Sequence, residues 1–140
     1  MNMIIPDEGK IAAVETVFLL SGVEQDFVLA LFTAPTAAGN LLTLDDYTKA
    51  SFGGYADISV ARTSFQPAVI VGDVAQLLRL PAPSWTMTSG APQTVYGWIL
   101  YGNDDLKIYC AQTFDTPHTF TPGATLTLDP FKIDCAQIGA

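Results

Sequence analysis

The sequence predicts a mainly β protein: an antiparallel β-sandwich or jelly-roll-like domain carrying one N-terminal helix. Three observations predict it. About seven or eight short apolar runs are each closed by Gly, Pro, Asn or Asp, with turn signals every 8–12 residues. Several of these runs alternate in character with period two and are rich in Val, Ile, Thr and aromatic residues. The chain has 140 residues, of which 49% are hydrophobic and 14% charged, enough to bury the core of one domain spanning 1–140.

The elements follow in order. Met1 to Ile5 form a short apolar tail. Pro6 suits a helix start, and Asp7 and Glu8 put negative charge at the positive end of a helix macrodipole. Ile11, Val14, Phe18 and Ser21 recur at spacings of three and four, and Gly22 suits the C′ position, so a helix is expected over about 7–21. Phe27 to Thr33 is an apolar run closed by Pro35, which reads as a largely buried strand. After a loop of small residues at 34–40, Thr43 and Asp46 have the spacing of a capping box, so residues 44–50 are expected to form one or two helical turns before Gly53-Gly54. Tyr55 to Val60 reads as a strand.

Residues 68–71 and 74–78 flank Gly72-Asp73 as a tight hairpin, with Gly supplying the positive φ that the turn requires. Pro81 and Pro83 interrupt the pattern, and Ser84 to Thr88 resumes it as a short strand. Gln93 to Tyr101, the turn Gly102-Asn103-Asp104-Asp105 and Leu106 to Phe114 form the clearest hairpin. Pro117 and Pro122-Gly123 are read as turns, and Ala124 to Leu128 and Phe131 to Ile133 as closing strands.

Charge narrows the function. Fourteen acidic residues stand against six basic ones, a formal net charge of −8. Nucleic-acid binding needs clustered Lys and Arg, whereas Lys10, Lys49, Arg62, Arg79, Lys107 and Lys132 are scattered singly. No nucleic-acid partner is therefore expected. No run is long enough to span a bilayer, so no membrane partner is expected either. Met1 to Pro6 lacks the basic start of a signal peptide, so Cys110 and Cys135 are expected as free thiols and Cys110 as a small buried residue.

Catalytic, cofactor and metal sites are not expected. His118 is the single histidine and stands in a Pro-flanked segment, where an exposed turn residue is the simplest reading. It has no second His at metal-ligand spacing, no Gly-x-Ser-x-Gly elbow exists for a nucleophile, and the interval from Cys110 gives a Cys–His pair no geometric support. Asp45-Asp46 and Asp104-Asp105 read as solvated turns. The second could bind calcium only weakly and does not match an EF-hand loop.

The strand around Trp98 is apolar on both faces: Tyr96, Trp98 and Leu100 on one, Val95, Gly97, Ile99 and Tyr101 on the other. Either the chain's own layers or a neighbouring subunit covers the second face.

One further pattern spans residues 27–133. It comprises Leu29-Ala30-Leu31-Phe32-Thr33, the acidic turn Leu44-Asp45-Asp46-Tyr47, Phe52-Gly53-Gly54-Tyr55, Ser84-Trp85-Thr86-Met87-Thr88, and Thr94-Val95-Tyr96-Gly97-Trp98-Ile99-Leu100 before an Asp/Asn/Gly turn. The pattern resembles small virion structural proteins of tailed bacteriophages, including cyanophage-like ones, with Trp98 where Tyr is commoner. The resemblance implies a capsid decoration (cement) protein without an active site. It would be made in the host cytoplasm, reside in the virion, and partner the major capsid protein or other virion subunits as a homo-oligomer, a dimer or trimer. The contacts expected on that reading are Met3, Ile4, Ile5, Pro6, Trp98, Tyr101 and Asn103. A second reading is a carbohydrate- or receptor-binding module of a tail, fibre or neck component with Trp85 or Tyr101 as an exposed platform. A third is a small hydrolase using His118 or Cys110.

Overall fold

The computed structural model describes residues 26–34, 43–61, 64, 65, 67, 69–72, 74–79, 82–128 and 131–135. The expected helix at 7–21, the loop at 35–40 and the apolar tail lie outside them. Among the described residues the protein is mainly β. In chain order the elements are β1 (Phe27–Phe32), a single 3-10 turn (Leu44–Asp46), β2 (Ile58–Val60), β3 (Val69–Val71), β4 (Val74–Arg79), β5 (Ser84–Thr86), β6 (Gln93–Gly102), β7 (Ile108–Phe120), β8 (Thr125–Thr127) and β9 (Phe131–Cys135). Every strand pairing is antiparallel. The strands form a four-stranded sheet in the order β2-β1-β6-β7, a three-stranded sheet β3-β4-β9 and a two-stranded sheet β5-β8. The chain divides into two compact units, one of Gln25–Val60 and Pro83–Leu128 and one that includes Ala61–Ala82 and the residues from Asp129 onward.

In the first unit, β1 and β6 form the centre. Their register sets Leu31 against Trp98 and Leu29 against Leu100 on one face, and Val28 against Tyr101, Ala30 against Ile99 and Phe32 against Gly97 on the other. All six β1 residues are buried. Val28, Ala30, Phe32, Ile99 and Tyr101 join Tyr47 in one core cluster, flanked by Leu44, Tyr96, Ile108 and Ala111. A strand apolar on both faces must be covered on both, and each fully buried Leu or Ile then stabilises the fold by about 2 kcal/mol. Trp98 and Tyr101 are only 5% and 6% exposed in the single chain, so its own residues cover both faces of β6.

The expected helical turns at 44–50 shorten to the 3-10 turn. The Thr43–Asp46 capping box that the sequence suggests is present, with the Thr43 N–H donating to Asp46 Oδ2 at 2.6 Å and the Thr43 hydroxyl 3.3 Å from the same oxygen. The chain then leaves the helical path because residues 48–50 join the sheet: Thr33 N–H donates to Thr48 O, Lys49 bridges Phe32, and Ala50 N–H donates to Leu31 O. Sheet hydrogen bonds replace the i→i−4 bonds that a further turn would have needed.

β7 also departs from expectation. It continues through Pro117 to Phe120 instead of turning there. Thr113 pairs with Gly97 and His118 with Val95, so Phe114, Asp115, Thr116 and Pro117 lie opposite the single Tyr96 as an enlarged bulge. β7 is an edge strand, where a residue without an N–H breaks no ladder, so the bulge accommodates the proline.

β5 alternates strictly, with Trp85 buried between exposed Ser84 and Thr86. Its outer face pairs hydroxyls with β8, Ser84 with Thr127 at 3.1 Å and Thr86 with Thr125 at 2.8 Å. In the second unit the β3–β4 hairpin forms as the sequence predicts. Val71 pairs with Val74 across a two-residue turn, and Gly72 takes φ +62°.

Candidate functional site

β2 is shorter than the Tyr55–Val60 strand the sequence suggests, because Tyr55 and Asp57 are engaged elsewhere. Beyond the end of β2, the Leu31 N–H meets no backbone carbonyl, although Ala50 N–H reaches the Leu31 carbonyl from the same side. The Leu31 N–H donates instead to the Tyr55 hydroxyl at 3.0 Å. A side-chain oxygen thus replaces a missing ladder carbonyl. The Tyr55 hydroxyl in turn donates to Asp57 Oδ1 at 2.7 Å. Asp57 Oδ2 accepts from Lys49 Nζ at 2.7 Å and from the Tyr101 hydroxyl of β6 at 3.0 Å. Lys49 Nζ also donates to the Tyr101 oxygen at 3.1 Å and sits 5.3 Å from the centre of its ring. Four side chains from the β1–β2 connection and β6 therefore close one polar network around a single carboxylate.

Its electrostatics follow from this geometry. Burial pushes Asp57 upward, but the hydrogen bonds from Lys49, Tyr55 and Tyr101 and the ammonium charge outweigh it and hold the carboxyl below its ordinary 3.8. The Asp57 hydrogen bond raises Lys49 above its ordinary 10.5 against the opposing effect of burial. Burial, and then the neighbouring carboxylate, push the Tyr55 phenol well above its ordinary value. Burial is also the largest cause of the rise at Tyr101, with the Asp57 charge adding to it. At neutral pH the network is a charged Lys–Asp pair flanked by two neutral phenols. Its amine is protonated and its carboxylate already holds three donors. Neither group is poised as a nucleophile or a general base. The network ties the β1 edge to β6.

This arrangement makes stability depend on pH in a definite direction. Asp57 has its pKa depressed in the folded state, so its contribution is complete above the unfolded value of about 3.8 and is lost as pH falls through the lower folded value. Lys49 has its pKa raised, so its contribution is complete below about 10.5 and is lost as pH rises through the higher folded value. Asp57→Ala is expected to cost about 1–2 kcal/mol at pH 7, because it takes the acceptor from the partly buried Tyr55 and Tyr101 hydroxyls, while the exposed Lys49 ammonium turns to water. Asp57→Asn is expected to flatten the acid limb of the stability profile, as read by urea unfolding from about pH 5 down to about pH 2, the range in which the depressed carboxyl takes up its proton.

The residues singled out from sequence fall elsewhere. His118 is not an exposed turn residue. It lies within β7 opposite Val95, edge-on to Phe120 with ring centres 4.6 Å apart. Its Nε2 is shielded from water without a hydrogen-bond partner among the described residues. Cys110 pairs with Leu100, five β6 residues from the His118 partner Val95, which separates them by roughly 16 Å along the strand. The Cys–His pair does not form. Cys110 is a free thiol, and burial pushes it up to about 12. The side chain of Cys135 lies outside the described set.

Trp85 is 4% exposed and donates its indole N–H to Ala56 O at 3.1 Å, so neither it nor Tyr101 offers a water-facing platform. Trp98 and Tyr101, expected as subunit contacts, are core residues. Asn103 is exposed at the β6–β7 tip, where its N–H donates to Asp26 O at 3.0 Å. The Asp105 carboxylate is not simply solvated: it accepts from the Tyr109 hydroxyl at 2.6 Å and from the Lys107 N–H at 3.0 Å. Met3, Ile4, Ile5 and Pro6 lie outside the described residues. Among those described, no group of three or more His, Cys, Asp or Glu is placed to hold a metal, and no helix is long and apolar enough to cross a membrane.

Sequence reasoning missed Lys49, Tyr55 and Asp57. One signal was present: Tyr55 and Asp57 are two apart in an extended run, which sets both on one side of the chain. No protein-family model matches the chain, and neither the curated proteins nor the solved structures include a match.

Proposed function

We propose that the chain is a virion structural protein of a tailed bacteriophage, of the capsid decoration type. On this reading it is built on a sandwich or jelly-roll plan and stabilises a protein shell through non-covalent contacts. The observation that carries this reading is where the resembling segments fall. Leu29 to Phe32 lie in β1, Ser84-Trp85-Thr86 is β5 and Thr94 to Leu100 lie in β6, so three of the five segments fall in paired strands, while Leu44 to Tyr47 covers the 3-10 turn and Phe52 to Tyr55 lies in the connection before β2. A polar network that compensates its own charges, with a core that covers both faces of its central strand, suits a part that works by docking.

The test is made on particles of the phage or prophage that carries the gene. Density-banded particles are expected to contain the chain in a fixed ratio to the shell protein. The free chain is expected to show a dimer or trimer mass by light scattering. A chain found only in the soluble fraction, with none in banded particles, contradicts the reading.

A further inference from the structure

We propose that the outer edge of β7 from Ile108 to Thr113 is the contact by which two copies of the chain pair, antiparallel across a two-fold axis, joining their four-stranded sheets into one continuous sheet. The inference goes beyond the virion reading, which leaves the subunit contact unassigned once Trp98 and Tyr101 prove to be core. β7 is the last strand of the β2-β1-β6-β7 sheet, and among the described residues no strand pairs with its outer side. Gln112 and Thr113 are both exposed, and as neighbours they stand on opposite faces of the sheet, so water reaches the edge past both. The Gln112 carbonyl oxygen points at Gly97 of β6. Hydrogen-bonding groups alternate sides along a strand, so Ala111 and Thr113 aim their N–H and C=O groups outward. An open edge is a template for another strand, and edges are ordinarily blunted by short length, charge, proline or a bulge. The other edge strands described follow that rule: β2, β3, β5 and β8 have three residues each, and β9 carries Lys132 and Asp134. β7 is blunted only in its second half, by Asp115, Pro117 and the enlarged bulge. From Ile108 to Phe114 it holds no charged residue.

The edge itself favours a second copy. Outward backbone groups are met by another extended backbone, not by an apolar pocket or a small molecule. The net charge of −8 does not oppose the contact, because the segments that meet are uncharged. Charge at the ends of the run sets the direction. Lys107 precedes it and Asp115 follows it, and both are exposed. The Asp105 carboxylate beside Lys107 is already held by the Tyr109 hydroxyl and the Lys107 N–H. Antiparallel pairing about Ala111 sets the Lys107 end of each copy beside the Asp115 end of the other, whereas parallel pairing sets Asp115 beside Asp115. Both copies then offer the same order of charges, which is the self-complementarity a two-fold contact requires. At the axis Ala111 meets its own copy, and the outward groups of the two exchange hydrogen bonds. Such pairing uses up the edge in both copies, so the assembly closes as a dimer.

The experiment measures solution mass by light scattering through a dilution series. It compares wild type, Thr113→Lys, Thr113→Pro, Lys107→Asp, and Lys107→Asp combined with Asp115→Lys. Wild type is expected to be a dimer that dissociates on dilution. Thr113→Lys puts a charge into the edge, and Thr113→Pro removes an outward N–H, which an edge strand tolerates. Each is expected to weaken the dimer at least about tenfold. Lys107→Asp is expected to weaken it as well, and the double variant to restore it. Circular dichroism is expected to show the wild-type strand content throughout, since Lys107, Thr113 and Asp115 are all exposed. A monomeric or trimeric wild type overturns the proposal, and so does a double variant as weak as Lys107→Asp alone. A dimer unchanged in both Thr113 variants also overturns it and leaves the virion reading standing. A dimer lost in the Thr113 variants, in a chain absent from banded particles, removes the virion reading and upholds this contact.

Discussion

Gly97→Ala is expected to unfold the four-stranded sheet or to cost at least about 3 kcal/mol, because the space a Cβ needs is already occupied. A Cβ at this position would fall 2.1 Å from the Gln112 carbonyl oxygen and 2.5 Å from Phe32 Cζ. The first is backbone of the paired strand β7 and cannot turn aside. The second belongs to a ring that is 1% exposed and packs edge-on against Tyr47 with centres 5.0 Å apart. Gly97 is therefore the gap into which the Phe32 ring fits, at the register where β1 meets β6. Urea unfolding followed by tryptophan fluorescence reads the effect, since Trp85 and Trp98 are both buried. A variant within about 0.5 kcal/mol of wild type would show that the β1–β6 register is wrong.

Phe120→Ala is the second large effect, with an expected loss of about 4 kcal/mol. Phe120 is fully buried and stacks on Phe52 with ring centres 4.3 Å apart, while His118 meets its other contact edge-on at 4.6 Å. Deleting the ring removes the transfer energy of a large side chain and opens a cavity between two aromatic neighbours. It also takes away the apolar wall beside the shielded His118 Nε2. Phe120→Leu keeps most of the volume and is expected to cost less than half as much. Equal losses for the two variants, measured by urea denaturation, would contradict this account of the packing.

These effects show which parts of the fold were legible in the sequence. β1, the β3–β4 hairpin and the β6–β7 hairpin were readable because local patterns specify them: a continuous apolar run, a Gly at a required positive φ, and alternation ending in an Asn/Asp turn. Pro117 misled because its usual meaning, a turn, holds for central strands. At the edge β7 takes it into a bulge that only the pairing with β6 defines. Of the one or two helical turns expected at 44–50, only the 3-10 turn Leu44–Asp46 forms with its capping box, since the hydrogen bonds of residues 48–50 to β1 leave no room for a second.

The polar network was half visible. The Tyr55-x-Asp57 spacing lies on the page, but Tyr101 is 44 residues from Asp57 and reaches it only through the β1–β6 register. The apolar faces of β6 were read correctly as needing cover on both sides. Pattern alone could not say that the chain supplies that cover itself, so Trp98 and Tyr101 were expected at an interface and are instead core.

The most direct measurement is the heat-disruption temperature of shells assembled without this chain, recorded with and without a saturating amount of it. The account predicts that the chain co-sediments with the shells and raises their disruption temperature, since a ligand that binds only the intact assembly stabilises it by mass action. An unchanged disruption temperature, with the chain left in the supernatant, would contradict it.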